Sequence, residues 1–354
     1  MTDGGLDARI THVAQEQSIP IPALEKAWVR TEETFESFRT SLEEALPPSN
    51  DTKGLDVVFC GSLARHEFTE GGDADYLILV DRNVRARTLA KLKSAAESAV
   101  SEEGMEGPGQ QGLFGDFAIA QELVTRIGLQ ADSNIDTTRR LLILTESASV
   151  YDPQVRQTVL RLMIERYCAD YDPEEQDNNS VNVPRFLLND LVRYWRTKAV
   201  DFAAKRWGDV AGDSRLRLAK LLTTRKVLFA GSLAVVLLAR SEVASRRDGD
   251  ATEYDAMVSY LLSEFERTPL ARLAGCYDKL SADGKAAMGK MLGAYDEFLD
   301  IVEGTDKRDL IRSDEGVSVH ERLNVIAEDI EQNLEIIFFD DPLFKGLTRK
   351  YSLF

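Results

Sequence analysis

Two short stretches of this chain hold residue types suited to phosphate and metal chemistry. Gly61-Ser62 closes the apolar run 56–60, and ten residues later Asp73-Ala74-Asp75 opens a second apolar run, 76–80. Side chains at i and i+2 of a strand leave the same face, so Asp73 and Asp75 project together while Ala74 turns away. Two adjacent carboxylates repel unless a cation sits between them. Mg²⁺ prefers oxygen ligands and is commonly held by one or two carboxylates together with substrate phosphates. Gly61 permits close backbone approach and Ser62 adds a hydroxyl donor, so the turn suits those phosphates. The pattern implies chemistry on a nucleoside triphosphate.

The flanking residues must form the frame. Leu55–Cys60 and Ala74–Val80 are rich in β-branched and apolar residues and read as strands. Ahead of them, Leu24, Trp28, Phe35, Phe38, Leu42 and Leu46 recur at helical spacing, which predicts a long amphipathic helix over Ala23–Leu46. Pro47-Pro48-Ser49-Asn50 ends it. A helix is expected over Arg85–Val100 and a third strand over Phe114–Leu123, separated by a glycine-rich turn at Gly104–Gly112 that lacks the lysine of a P-loop. Helices are expected over Thr137–Ser147 and Pro153–Tyr167, then an acidic, polar connection over Asp170–Asn182. Beyond it the pattern is helical throughout: Pro184–Arg206, Ser214–Arg240, Glu253–Arg267, Pro269–Leu280, Ala282–Val302 and Val317–Phe338. The fold class is α+β, a small mixed-sheet domain over residues 1–150 followed by a helical domain over 151–354.

Charge narrows the partners. The net charge of −17 disfavours wrapping long duplex DNA. Val181–Lys226 departs from that average, with eleven Lys/Arg and four Asp/Glu. Such a basic island suits a small polyanion or one short strand; a helix whose cations pair with acidic neighbours is the plainer reading. Cys60, Cys168 and Cys276 form no zinc or disulfide pattern, which fits a reducing cytoplasm. The longest apolar run, Val227–Ala239, is too short to span a bilayer and reads as a buried core helix, and no basic-then-apolar leader opens the chain, so no membrane partner is expected.

Gly-Ser, ten residues, then Asp-x-Asp between apolar strands resembles the nucleotidyltransferase superfamily typified by DNA polymerase β. The motif spans Gly61–Asp75 and the supporting layout roughly residues 20–150. The resemblance implies a metal-dependent nucleotidyltransferase that moves a nucleoside monophosphate from a triphosphate such as ATP to a hydroxyl acceptor. It implies two Mg²⁺ ions at Asp73 and Asp75, with the triphosphate at Gly61 and Ser62. A third carboxylate from a later strand completes the family's metal set; Asp116 is the leading candidate, with Glu122 and Asp132 as alternatives. The acceptor is a short RNA end, a second nucleotide or a small molecule. A nucleotide-binding regulatory protein with a weakened site is the alternative.

Other cations are candidates for the phosphates. Arg65 follows the turn closely, with a surface pair to Glu67 as the competing reading, and His66 reads as a surface residue. Arg185, Asn189, Arg193 and Arg196 share one helix face by spacing, and Arg217, Lys220 and Arg225 follow. Of these, Arg193, Arg196, Lys220 and Arg225 are the expected nucleotide contacts, on a helical domain expected to close over the nucleotide. Tyr194 and Trp195 are read either as base-stacking residues or as core.

Overall fold

The computed structural model describes residues 5–105, 107, 113–169, 183–206, 211–246, 252–313 and 315–351. In chain order its elements are α1 (Ala8–Glu16), α2 (Pro22–Ala45), β1 (Leu55–Cys60), the single-turn α3 (Gly61–Ala64), β2 (Tyr76–Val80), α4 (Ala86–Glu102), β3 (Phe117–Ile119), α5 (Ala120–Thr125), α6 (Asn134–Thr145), β4 (Ser147–Ser149), α7 (Pro153–Tyr167), α8 (Arg185–Arg206), α9 (Ala211–Leu222), α10 (Thr224–Arg246), α11 (Glu253–Phe265), α12 (Pro269–Ala274), α13 (Ala282–Ile301), α14 (Thr305–Arg312), α15 (Val317–Glu335) and α16 (Pro342–Tyr351). The protein is thus mixed α/β, with one small four-stranded sheet among the described residues.

Two compact units are present. One comprises Met1–Trp28, Leu191–Ser241 and Pro269–Phe354; the other comprises Val29–Asp190 and Glu242–Thr268. Each combines segments distant in sequence. The acidic connection expected over 170–182 and most of the glycine-rich turn over 104–112 lie outside the described residues.

The second unit holds the sheet, in the order β3-β2-β1-β4. β1 runs antiparallel to both β2 and β4, and β2 runs parallel to β3. Every residue of β1 and β2 is buried, because helices cover both faces of the sheet. Leu55, Val57, Phe59, Ala74, Tyr76 and Ile78 pack against Phe35, Phe38 and Leu42 of α2 and Leu92, Ala95 and Ala96 of α4. On the opposite side α6 and α7 lie against β1 and β4, and α11 packs on α7. The antiparallel β1–β2 pairing brings the end of β1 and the start of β2 together, so Cys60 N–H donates to the Asp75 carbonyl at 2.8 Å.

The first unit is helical among its described residues. α13 packs along α15, and an Asp296 carboxylate oxygen of α13 accepts the Leu24 N–H at the start of α2, at 2.8 Å. α10 passes so close to α12 that a β-carbon on Gly231 would lie 2.2 Å from the Pro269 carbonyl oxygen. Val227–Ala239 lies within α10 as expected and is largely buried. The segment Ser214–Ser245 is long and apolar enough to cross a membrane by length and composition, but 78% of its most apolar window is buried inside the protein, as in the core helix of a soluble fold.

Several expectations need correction. Ser214–Arg240 is two helices, α9 and α10, divided at Thr223. The third strand is only Phe117–Ile119: Gly115 takes a positive φ of 69° before it, and α5 starts at Ala120. β4 was not expected, since three residues are too few to show a period of two. α14 and α16 fall where breaks or no element were expected, and the helix expected to reach Phe338 passes into a π turn over Ile336–Asp340.

Candidate active site

Asp73 is exposed, Ala74 buried, Asp75 half-buried and Tyr76 buried, which is the alternation expected of a strand end. Ala74 joins the core on the α2–α4 side, so both carboxylates leave the opposite side. Gly61 takes a φ of +66° as β1 turns into α3. A β-carbon there would stand 3.5 Å from an Asp75 carboxylate oxygen. The turn and the Asp75 carboxylate therefore adjoin at one end of the sheet, with Asp73 two residues away on the same face. Their donor set, two carboxylates beside a glycine turn, fits a hard divalent cation that also binds phosphate.

Asp116 lies at the same end, on the strand neighbouring β2: Ile78 N–H donates to its carbonyl at 3.1 Å. Phe117 packs toward the α2–α4 core, which turns Asp116 to the side of Asp73 and Asp75. Its carboxylate, 48% exposed, is engaged by Arg139 of α6 at 3.3 Å. Arg139 also donates to the Phe117 carbonyl at 3.0 Å and the Leu113 carbonyl at 3.3 Å, clamping the segment that carries Asp116. Asp116 thus shares a sheet face with Asp73 and Asp75; among the described residues no three His, Cys, Asp or Glu side chains group as a metal cluster. The alternatives sit elsewhere: Glu122 pairs with Arg126, and Asp132 with the buried Arg140.

Arg65 is held between two carboxylates. Its side chain is 9% exposed, with Nε 2.8 Å from Glu67 and Nη1 2.5 Å from Glu146. The pairing with Glu67 is buried, not superficial. His66 is not a surface residue either: its ring stacks on Phe35 with centroids 5.8 Å apart, and Nδ1 lies 3.1 Å from Glu32, whose pKa it lowers by hydrogen bonding. Arg193, Arg196, Lys220 and Arg225 belong to the helical unit; Arg196 is exposed and the other three half-exposed. Arg185 and Asn189 belong to the sheet-bearing unit. Tyr194 is core, and Trp195 stacks on Phe229 with centroids 5.6 Å apart.

The sequence reading missed the buried charges Asp56, Arg140, Glu146 and Arg156 around the sheet, and the half-buried Arg139. Their only signal was a charge inside an otherwise apolar strand or helix. Asp56, on β1, is fully buried and accepts the N–H groups of Tyr151 at 3.1 Å and Asp152 at 2.8 Å. Burial outweighs these bonds and raises its pKa from 3.8 to about 7. A carboxyl raised in the fold binds its proton more tightly there than in the unfolded chain. Its contribution to stability is full below about pH 4 and is lost as pH rises through about 7. Asp56→Asn keeps both acceptor bonds without the charge. Denaturant titrations should show it gaining on the wild type from pH 5 to pH 8, by on the order of a few kcal/mol. A stability difference that does not vary with pH contradicts this.

Comparison with models of known protein families and with curated protein sequences gives no match.

Proposed function

We propose that this protein is a divalent-metal-dependent nucleotidyltransferase of the DNA polymerase β-like kind, moving a nucleoside monophosphate to a hydroxyl acceptor. The observation that carries the reading is the contact between turn and carboxylate. A β-carbon added at Gly61 would stand 3.5 Å from an Asp75 carboxylate oxygen, with Asp73 exposed on the same strand face. In this reading Asp73 and Asp75 hold Mg²⁺, and the Gly61-Ser62 turn aligns the triphosphate beside it. The metal would neutralise phosphate charge and lower the pKa of the attacking hydroxyl. The acceptor oxygen bonds to the α-phosphorus, its proton passes to solvent, and pyrophosphate leaves. The protein's own work is then alignment and charge placement.

A second reading, a nucleotide-binding regulatory protein with little turnover, is favoured by the Arg139–Asp116 pair, which occupies the candidate third carboxylate. Cys60, Cys168 and Cys276 are buried and none is in a disulfide, which supports a reducing, cytoplasmic setting.

Incubation with Mg²⁺ and each labelled nucleoside triphosphate, alone and then with total RNA, separates these readings. Pyrophosphate release with a labelled oligonucleotide or labelled RNA is expected, and the product identifies the acceptor. Nucleotide binding without product supports the second reading, and absence of both binding and product overturns the assignment.

A further inference from the structure

We propose that Arg65 is a positioning residue that holds the Gly61-Ser62 turn against Asp75; this rests on the nucleotidyl-transfer reading. α3 is one turn long, far below the length at which a helix is stable alone. Its capping residue Cys60 makes no side-chain capping bond. The backbone is left-handed at Gly61, φ +66°, and again at His66, φ +56°. A non-glycine residue in that region costs on the order of 1 kcal/mol or more and persists only where its surroundings enforce it.

Arg65 and Glu67 supply much of that enforcement. Arg65 N–H donates to the Gly61 carbonyl at 3.1 Å, and Glu67 N–H donates to the Ser62 carbonyl at 2.9 Å. The Arg65 guanidinium then ties the Glu67 carboxylate to that of Glu146. Glu146 immediately precedes β4, whose Ser147 is the register partner of Cys60. A chain of bonds therefore runs from the Ser62 carbonyl through Glu67, Arg65 and Glu146 to the strand beside β1. Glu67 and Glu146 are as buried as Arg65, so swinging the guanidinium out to a ligand would leave two buried carboxylates without their cation. Arg65 acts on the ligand through the shape of the turn.

The test compares Arg65→Met, Arg65→Lys and Glu146→Gln with the wild type. Readouts are calorimetric binding of each Mg²⁺–nucleoside triphosphate, KM and kcat, and hydrogen exchange of amides 61–67. Arg65→Met should weaken nucleotide binding about tenfold to a hundredfold, raise KM more than it lowers kcat, and speed exchange in that segment. Arg65→Lys should recover part of the binding, since an ammonium reaches one carboxylate at a time. Wild-type affinity and KM in a folded Arg65→Met variant overturn the proposal; if that variant does not fold, the same result in Glu146→Gln does so. Lost affinity with unchanged exchange at 61–67 also overturns it, in favour of a direct phosphate contact. A wild-type protein that binds no nucleotide removes the underlying reading, and this role with it.

Discussion

Replacing Asp73 and Asp75 together by alanine is expected to lower nucleotidyl transfer by at least about 10³-fold, or about 4 kcal/mol of transition-state stabilisation. Stability should scarcely change, because Asp73 is exposed and Asp75 half-buried, whereas the core contact at this strand end is made by Ala74. The cause is electrostatic. Two carboxylates on one strand face repel in the absence of a cation, and a triphosphate brought beside them repels both. Only a divalent cation makes that neighbourhood favourable, and removing its ligands removes the means of neutralising the departing pyrophosphate. Initial rates with saturating nucleotide, beside melting curves for both proteins, provide the check. A folded double variant within tenfold of wild-type activity sinks the assignment of these residues.

The largest effect on stability is expected at Arg140. Its side chain is fully buried on α6, where Nη1 and Nη2 reach both oxygens of Asp132, at 3.2 and 2.8 Å. Nη2 also lies 3.2 Å from Asp190, Nε donates to the Tyr167 hydroxyl at 2.7 Å, and Nη1 donates to the Leu123 carbonyl at 3.1 Å. The Tyr167 hydroxyl donates to Asp190 in turn, at 2.7 Å. One cation thus joins α5, α6, α7 and the start of α8. Arg140→Met keeps much of the volume but leaves two buried carboxylates facing each other. The expected loss is about 3–5 kcal/mol in urea titrations at neutral pH. Adding Asp132→Asn and Asp190→Asn should recover a substantial part, because the uncompensated charge, not the missing bulk, is the main cost. A loss below about 1 kcal/mol in Arg140→Met would show that the network carries little. Arg139, the preceding residue on the same helix, clamps the Asp116 segment, so this anchoring also bears on the site.

What the sequence determined by itself was local. β1 and the long helix α2 follow from runs and periodicities that any burying partner would satisfy, and their observed bounds, Leu55–Cys60 and Pro22–Ala45, lie within a residue of those expected. The shared face of Asp73 and Asp75 follows from the pleat alone. The tertiary structure decided everything that depends on a partner distant in sequence. For Arg65 the sequence offered two local readings, a phosphate contact beside the turn or a pair with Glu67, while its second partner, Glu146, lies 81 residues further on. Asp116 was legible as a candidate third carboxylate, but its pairing with Arg139 depends on α6. Asp56 acquires its raised pKa from burial by helices on both sides of the sheet, which the N–H bonds from Tyr151 and Asp152 offset only in part. Residue type and spacing state what a side chain can do. Which neighbour satisfies its charge is a property of long-range packing, and in a buried environment that neighbour determines its role.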